Sequence, residues 1–138
     1  MNQSIERTTL SNLVTNEEYC RKVLPFIKPD YFDVKEERVV FEEITNFVEK
    51  YKRIPTKISL EIEVESRKDL TQDQHTKIVE IIQTLDSTDV DMEWLVDTTE
   101  KFCKDKAIYN AIVDGISIID GKDKKRSPDA IPSILTDA

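Results

Sequence analysis

The sequence predicts an all-α protein, a compact bundle of about six helices followed by a hinge and a short C-terminal helix. Apolar residues recur at helical spacing along most of the chain, and residues suited to helix caps separate these segments. The composition agrees, because 38% hydrophobic and 35% charged residues are typical of helices with a highly charged surface.

Ser4 is placed to cap a first helix that runs to about Thr15, with three apolar residues on one face: Leu10, Leu13 and Val14. Asn16 is placed to cap a second helix, and Pro25 and Pro29 limit how far it extends. This second helix carries the apolar residues Tyr19, Val23 and Leu24.

The third helix has the clearest pattern, with Asp33 and Glu36 as its predicted capping pair and an end near Arg53, before Pro55. Its predicted buried face holds Val40, Phe41, Ile44, Phe47, Val48 and Tyr51. Its predicted solvent face holds Glu42, Glu43, Glu49 and Lys50.

Residues 56–66 fit two templates, since their apolar residues alternate as in a strand while Leu60 and Val64 also lie one helical turn apart. We predict a helix, because a single strand would have no partner. Thr71 then opens a fifth helix with a buried face of Ile78, Ile81, Ile82 and Leu85. A long sixth helix begins near Asp91, and its predicted buried face holds Trp94, Leu95, Phe102, Ile108, Ile112 and Ile116.

We predict three regions: a helical domain over 1–118, a hydrophilic hinge over 119–127 and the start of a further helix over 128–138. Gly115 and Gly121 lie at the expected frayed end of the sixth helix. The hinge carries a basic cluster, interpreted as a solvated linker, of Lys122, Lys124, Lys125 and Arg126. After Ser127-Pro128, a helix start signal, comes an apolar stripe that needs a surface to lie on: Ile131, Ile134 and Leu135.

The formal net charge of -8 argues against a dedicated duplex-binding domain, which would usually be basic. No apolar run is long enough for a membrane span and no secretory signal opens the chain, so we expect a cytoplasmic location. The two cysteines, Cys20 and Cys103, are predicted to be buried free thiols.

No catalytic, cofactor or metal site is predicted for these residues. The chain has two glycines and neither GxxxxGK[ST] nor GxGxxG, so it carries no phosphate loop. His75 is interpreted as a surface residue, and the polar turn with Asp86, Asp89 and Asp91 lacks the glycine and glutamate of a calcium loop. The carboxylate pairs at 36–37 and 42–43 are placed on solvated faces, and the aromatic residues, Tyr31 among them, are spaced as core.

In its order of segments, the chain resembles the N-terminal domain of hexameric replicative DNA helicases of the DnaB family, in the T-even-type bacteriophage branch. The resemblance covers nearly the whole chain. Each segment alone is a weak signal, and the order and spacing of the segments together make the resemblance specific. These segments are Leu10-Ser11-Asn12-Leu13, Asn16 to Pro25, Asp30-Tyr31-Phe32, Phe41-x-x-Ile44, Tyr51 to Pro55, Trp94-Leu95-Val96, Thr99-Glu100-Lys101, Ala107 and Ala130-Ile131-Pro132-x-Ile134.

The resemblance implies a non-catalytic collar domain that self-associates in a hexamer and docks primase, with a helicase loader as a further partner. It implies that ATP or GTP, Mg and single-stranded DNA belong to a motor domain, which we expect to follow residue 138 in the natural reading frame. It also implies that the last helix docks on another subunit through Ile131, Ile134 and Leu135. The alternative is a stand-alone acidic phage protein that acts as an inhibitor or DNA mimic, although Lys and Arg are interspersed among its acidic residues.

Overall fold

The computed structural model describes residues 4–119, and within that range it contains α-helices, two short 3-10 helices and no strand. The α-helices are α1 (Ile5–Thr15), α2 (Glu17–Val23), α3 (Lys35–Tyr51), α4 (Lys57–Glu65), α5 (Gln72–Gln83) and α6 (Met92–Ile119). The 3-10 helices cover Leu24–Phe26 and Pro29–Tyr31. The all-α prediction is therefore confirmed. The chain divides into two units, Met1–Thr99 and Glu100–Ala138.

Four helices begin at the N-cap residue that the sequence predicted for them. The Ser4 side chain accepts a hydrogen bond from the Arg7 amide at 3.1 Å, and Asn16 Oδ1 accepts one from the Tyr19 amide at 3.0 Å. Thr56 and Thr71 each form a reciprocal capping box with the residue three positions on. The caps therefore fix where α1, α2, α4 and α5 begin.

The predicted Asp33–Glu36 capping pair of α3 is wrong. Val34 occupies the N-cap position and its side chain forms no capping hydrogen bond, so the start lies one residue later than a cap at Asp33 would place it. The C-terminal end comes at Tyr51, because Lys52 adopts the left-handed conformation, with φ 59°, and its amide donates to the Val48 carbonyl.

Residues 57–65 form a helix, as predicted. Leu60 and Val64 are fully buried, whereas Ile58 and Ile62 are exposed. The alternating apolar pattern therefore does not correspond to a strand, since only the pair one helical turn apart faces the core.

The core of the first unit is built around α3, which packs against α1, α4 and α5. Phe41 of α3 lies against Phe32, with ring centroids 5.1 Å apart. The largest fully buried side chains are Tyr19, Phe32, Phe41, Leu10, Leu13, Ile44, Leu60, Ile78, Ile82, Leu85, Leu95 and Val23. The predicted buried face of α3 is confirmed for Val40, Phe41 and Ile44. It is wrong for Tyr51, which is 44% exposed at the end of the helix, while Phe47 and Val48 are half-buried.

Two carboxylates predicted to face water are buried instead. Glu37 and Glu43, on α3, are only 5% and 8% exposed. Arg7 donates from Nε to Glu37 at 3.1 Å, and Arg67 donates from Nη1 to Glu43 at 3.1 Å. Burial raises the pKa of both carboxyls, and the arginine partners oppose that rise. The error arose because each partner is more than twenty residues away in sequence, beyond the reach of a helical pattern.

Polar contacts tie the first two helices to the segment around the start of α6. The Tyr19 and Thr99 hydroxyls lie 2.7 Å apart and are buried. Asn12 Nδ2 donates to Thr88 Oγ1 at 2.9 Å. Both contacts join residues more than 70 positions apart, so they fix the long-range arrangement of the first unit.

Replacing Tyr19 with phenylalanine should lower the free energy of unfolding by about 1–2 kcal/mol, since the buried Thr99 hydroxyl loses its partner. Urea unfolding followed by circular dichroism measures the change. Tyr51→Phe is the matched control, because Tyr51 is exposed and its variant should unfold like the unchanged chain. Equal stability of all three proteins would show that the 2.7 Å contact contributes nothing.

Candidate interaction surfaces

A row of large apolar side chains on α6 is exposed in the second unit. These residues are between 42% and 60% exposed: Ile108, Tyr109, Ile112, Val113 and Ile116. Their spacing of three and four residues places them on one face of the helix, while Cys103 and Ala111 are buried. An exposed apolar stripe of this kind is typical of surfaces that bind another molecule.

The sequence predicted that much of this row would be core, and that prediction is wrong for Ile108, Ile112 and Ile116. It is wrong for Trp94 as well, which is 54% exposed at the start of the helix, whereas Leu95 is buried as predicted. Helical spacing identifies an apolar face but does not say whether the same chain covers it.

Gly115 does not lie at a frayed end. It is a buried position within α6, four residues before the helix ends at Ile119. Gly121 lies outside the described residues. The glycine therefore does not mark the end of the helix.

A second surface feature lies in the first unit, where the 3-10 helix after α2 meets the C-terminal half of α3. A cavity of about 460 Å³ opens there, with an apolar lining that includes Leu24, Pro25, Ile27, Val48 and Ile54. Its other lining residues include Arg21, Lys52 and Arg53. Sequence patterns gave no sign of this cavity, since its walls come from two segments, 17–27 and 45–54, that are far apart along the chain.

Both cysteines are buried free thiols, as predicted. Burial raises the pKa of Cys20 and of Cys103 to about 11. Both side chains are therefore neutral thiols at neutral pH and poor nucleophiles.

The acidic turn between α5 and α6 has structural uses. Asp86 forms an ion pair with Lys57, and Asp91 Oδ1 accepts a hydrogen bond from the Trp94 amide at 2.9 Å. His75 is partly exposed on α5. Within residues 4–119, no group of three or more His, Cys, Asp or Glu side chains is arranged to hold a metal ion.

The predicted docking residues Ile131, Ile134 and Leu135 lie outside the described residues, as do the basic cluster and residues 120–127 of the predicted hinge. Ile119, the first residue of that hinge, belongs to α6. Over the part of the chain that is described, no helix combines the length and apolar character needed to cross a bilayer.

The exposed apolar face of α6 is a feature typical of surfaces that take part in assembly and docking. Residues 1–98 match the family described as DnaB-like helicase N terminal domain, and the chain belongs to that family. It is also similar to the DnaB-like replicative helicase of Enterobacteria phage T4, with 29% identity over an alignment that covers 94% of this chain. The chain spans 29% of the length of that relative. These matches do not favour the alternative of a stand-alone acidic inhibitor.

Proposed function

We propose that this chain is the N-terminal assembly and partner-docking domain of a replicative DNA helicase. The exposed apolar stripe of α6 is the observation that carries the proposal, because it supplies a surface for a second copy. Membership of the DnaB-like helicase N-terminal domain family and similarity to the phage T4 replicative helicase support the proposal.

The parent protein would unwind duplex DNA at the replication fork by NTP hydrolysis, in the cytoplasm of the host cell. ATP or GTP, Mg and single-stranded DNA would be bound by its motor domain. Primase would dock on the N-terminal domain and a helicase loader would be a further partner, while residues 128–138 would connect the domain to the motor. The resemblance of residues 130–134 to the family's connecting segment supports this part of the proposal.

Self-association should depend on the α6 stripe. Ile112→Glu places a carboxylate in the middle of this apolar face, so it should weaken association by about tenfold or more, since a buried unpaired charge is costly. Sedimentation velocity over a range of concentrations measures the change.

Ile58→Glu is the matched control, because it makes the same substitution at an exposed isoleucine of α4. It should leave association unchanged. Equal association of the two variants would rule out the α6 stripe as the contact. Circular dichroism of both variants checks that α6 and α4 remain helical.

A further inference from the structure

The cavity between the 3-10 helix after α2 and the end of α3 has the size of a binding site. Its volume of about 460 Å³ lies within the range of roughly 300–1,000 Å³ that is usual for ligand pockets. Leu24, Val48 and Ile54 contribute apolar walls, and each is partly accessible to solvent. An apolar side chain that enters this cavity would bury surface on several sides.

The rim of the cavity is more basic than the rest of the chain. Three of the four residues at 50–53 are cationic, in a chain whose net charge is -8. Lys52 and Arg53 line the cavity, and neither forms an ion pair within residues 4–119. The rim therefore holds two cations that are available to an anionic partner.

Acidic residues on the same rim set a limit to this attraction. Glu17 lies 3.6 Å from Arg21, so these two charges offset each other. Glu49 also lines the cavity and repels an incoming carboxylate. A partner must therefore place its negative charge toward Lys52 and Arg53, at the end of α3.

Two roles internal to the fold account for part of this arrangement. Basic residues at the end of α3 complement its helix dipole, and Arg53 lies 5.5 Å from the Tyr51 ring centre and 6.0 Å from that of Phe47. Neither role fills the apolar cavity beside them. Thr45 lines that cavity, and its buried hydroxyl has no hydrogen-bond partner among residues 4–119.

We propose that this cavity binds an acidic peptide segment of a partner protein, one that carries an apolar anchor side chain. The anchor enters between Leu24, Val48 and Ile54, and the flanking carboxylates meet Lys52 and Arg53. Charge complementarity favours an acidic peptide, because Lys52 and Arg53 at the rim would repel a peptide whose flanking residues are basic. The site deepens the docking role proposed above. It lies in the first unit and self-association is measured on α6, so either can fail without the other.

Fluorescence anisotropy with the full chain tests the proposal. The probe is a short labelled peptide of Asp and Glu around a Leu-Phe pair. One control peptide replaces the Leu-Phe pair with serines, and the other replaces the acidic residues with lysines. Saturable binding of the probe, at least about tenfold tighter than either control, supports the site. Equal binding of all three peptides, or no binding of the probe, overturns it.

Variants of the charged residues test whether the probe peptide binds at the cavity. Lys52→Asn removes one rim charge and keeps a residue type that tolerates the left-handed conformation, and with Arg53→Gln it should weaken the probe about five- to tenfold. Glu49→Gln should tighten it about twofold, since it removes a repelling charge. Lys77→Gln, an exposed cation on α5, should change nothing.

Three results would overturn the assignment: a Lys77→Gln loss equal to that of the double variant, no loss in the double variant, or displacement of the probe by oligo-dT. Displacement by oligo-dT would show that the rim serves nucleic acid. Thermal unfolding of each variant separates a lost contact from a lost fold.

Discussion

Replacing Phe41 with alanine is expected to lower the free energy of unfolding by about 4 kcal/mol. Phe41 is 2% exposed on the central helix α3, and its ring packs against that of Phe32. The substitution removes a buried ring and leaves a cavity between elements that all contact α3. A loss of this size is a large fraction of the stability of a small domain.

Urea unfolding of the two proteins under the same conditions measures this difference. Ile58→Ala is the control, since Ile58 is 70% exposed and its truncation should cost less than about 0.5 kcal/mol. If Phe41→Ala cost no more than Ile58→Ala, the packing described around α3 would be wrong.

Replacing Arg67 with alanine should cost about 3 kcal/mol, because it leaves the buried carboxylate of Glu43 without its partner. Arg67 also donates to Glu42 at 3.0 Å and forms two hydrogen bonds to Asp69, at 3.0 and 2.8 Å. It therefore joins the segment after α4 to α3. Arg21→Ala is the control, since its pair with Glu17 is exposed and should contribute less than about 0.5 kcal/mol.

The Arg67→Ala deficit should also depend on pH. Burial raises the pKa of Glu43 above the usual 4.5, and loss of Arg67 raises it further. In the folded chain, burial favours the protonated carboxyl of Glu43. The contribution of this protonated carboxyl to the stability of the fold is fully present below the unfolded-state pKa of Glu43. It is lost as pH rises through the higher folded-state pKa. The deficit should therefore shrink as pH falls from neutral toward 4.5.

Asp69 gives the opposite dependence, because its hydrogen bonds from Arg67 lower its pKa to about 2. In the unchanged chain, the ionised carboxylate of Asp69 stabilises the fold at pH values above its usual pKa of 3.8, and this contribution is lost as pH falls toward 2. Measurements at and above pH 4.5 therefore isolate the effect of Glu43.

Adding Glu43→Gln to Arg67→Ala should recover part of the loss of stability. A deficit that changed neither with pH nor on adding Glu43→Gln would contradict the buried-charge explanation.

Local signals predicted the helices well because caps and short-range spacing are local physics. Ser4, Asn16, Thr56 and Thr71 bond to backbone or side-chain groups within three residues, so the sequence window holds both partners. The prediction of Asp33 as the N-cap of α3 was wrong because the backbone places Val34 at the N-cap position, although aspartate is a residue type suited to a cap.

The interaction surfaces were harder to predict because they depend on what lies opposite. Ile108 and Ile112 have the same helical spacing as core residues, and only the folded chain shows that they are exposed. Glu43 has the pattern of a solvent-facing residue, but Arg67 meets it from a distant segment. The cavity beside Lys52 likewise joins segments that no local pattern connects.

The mass of the chain in solution tests most directly whether it is a domain that assembles with copies of itself. Multi-angle light scattering from micromolar to millimolar concentration should show a mass that rises above the 16.0 kDa of one chain. Ile112→Glu should suppress this rise. A constant mass of 16.0 kDa at every concentration, together with no binding of a cognate primase, would contradict the assignment.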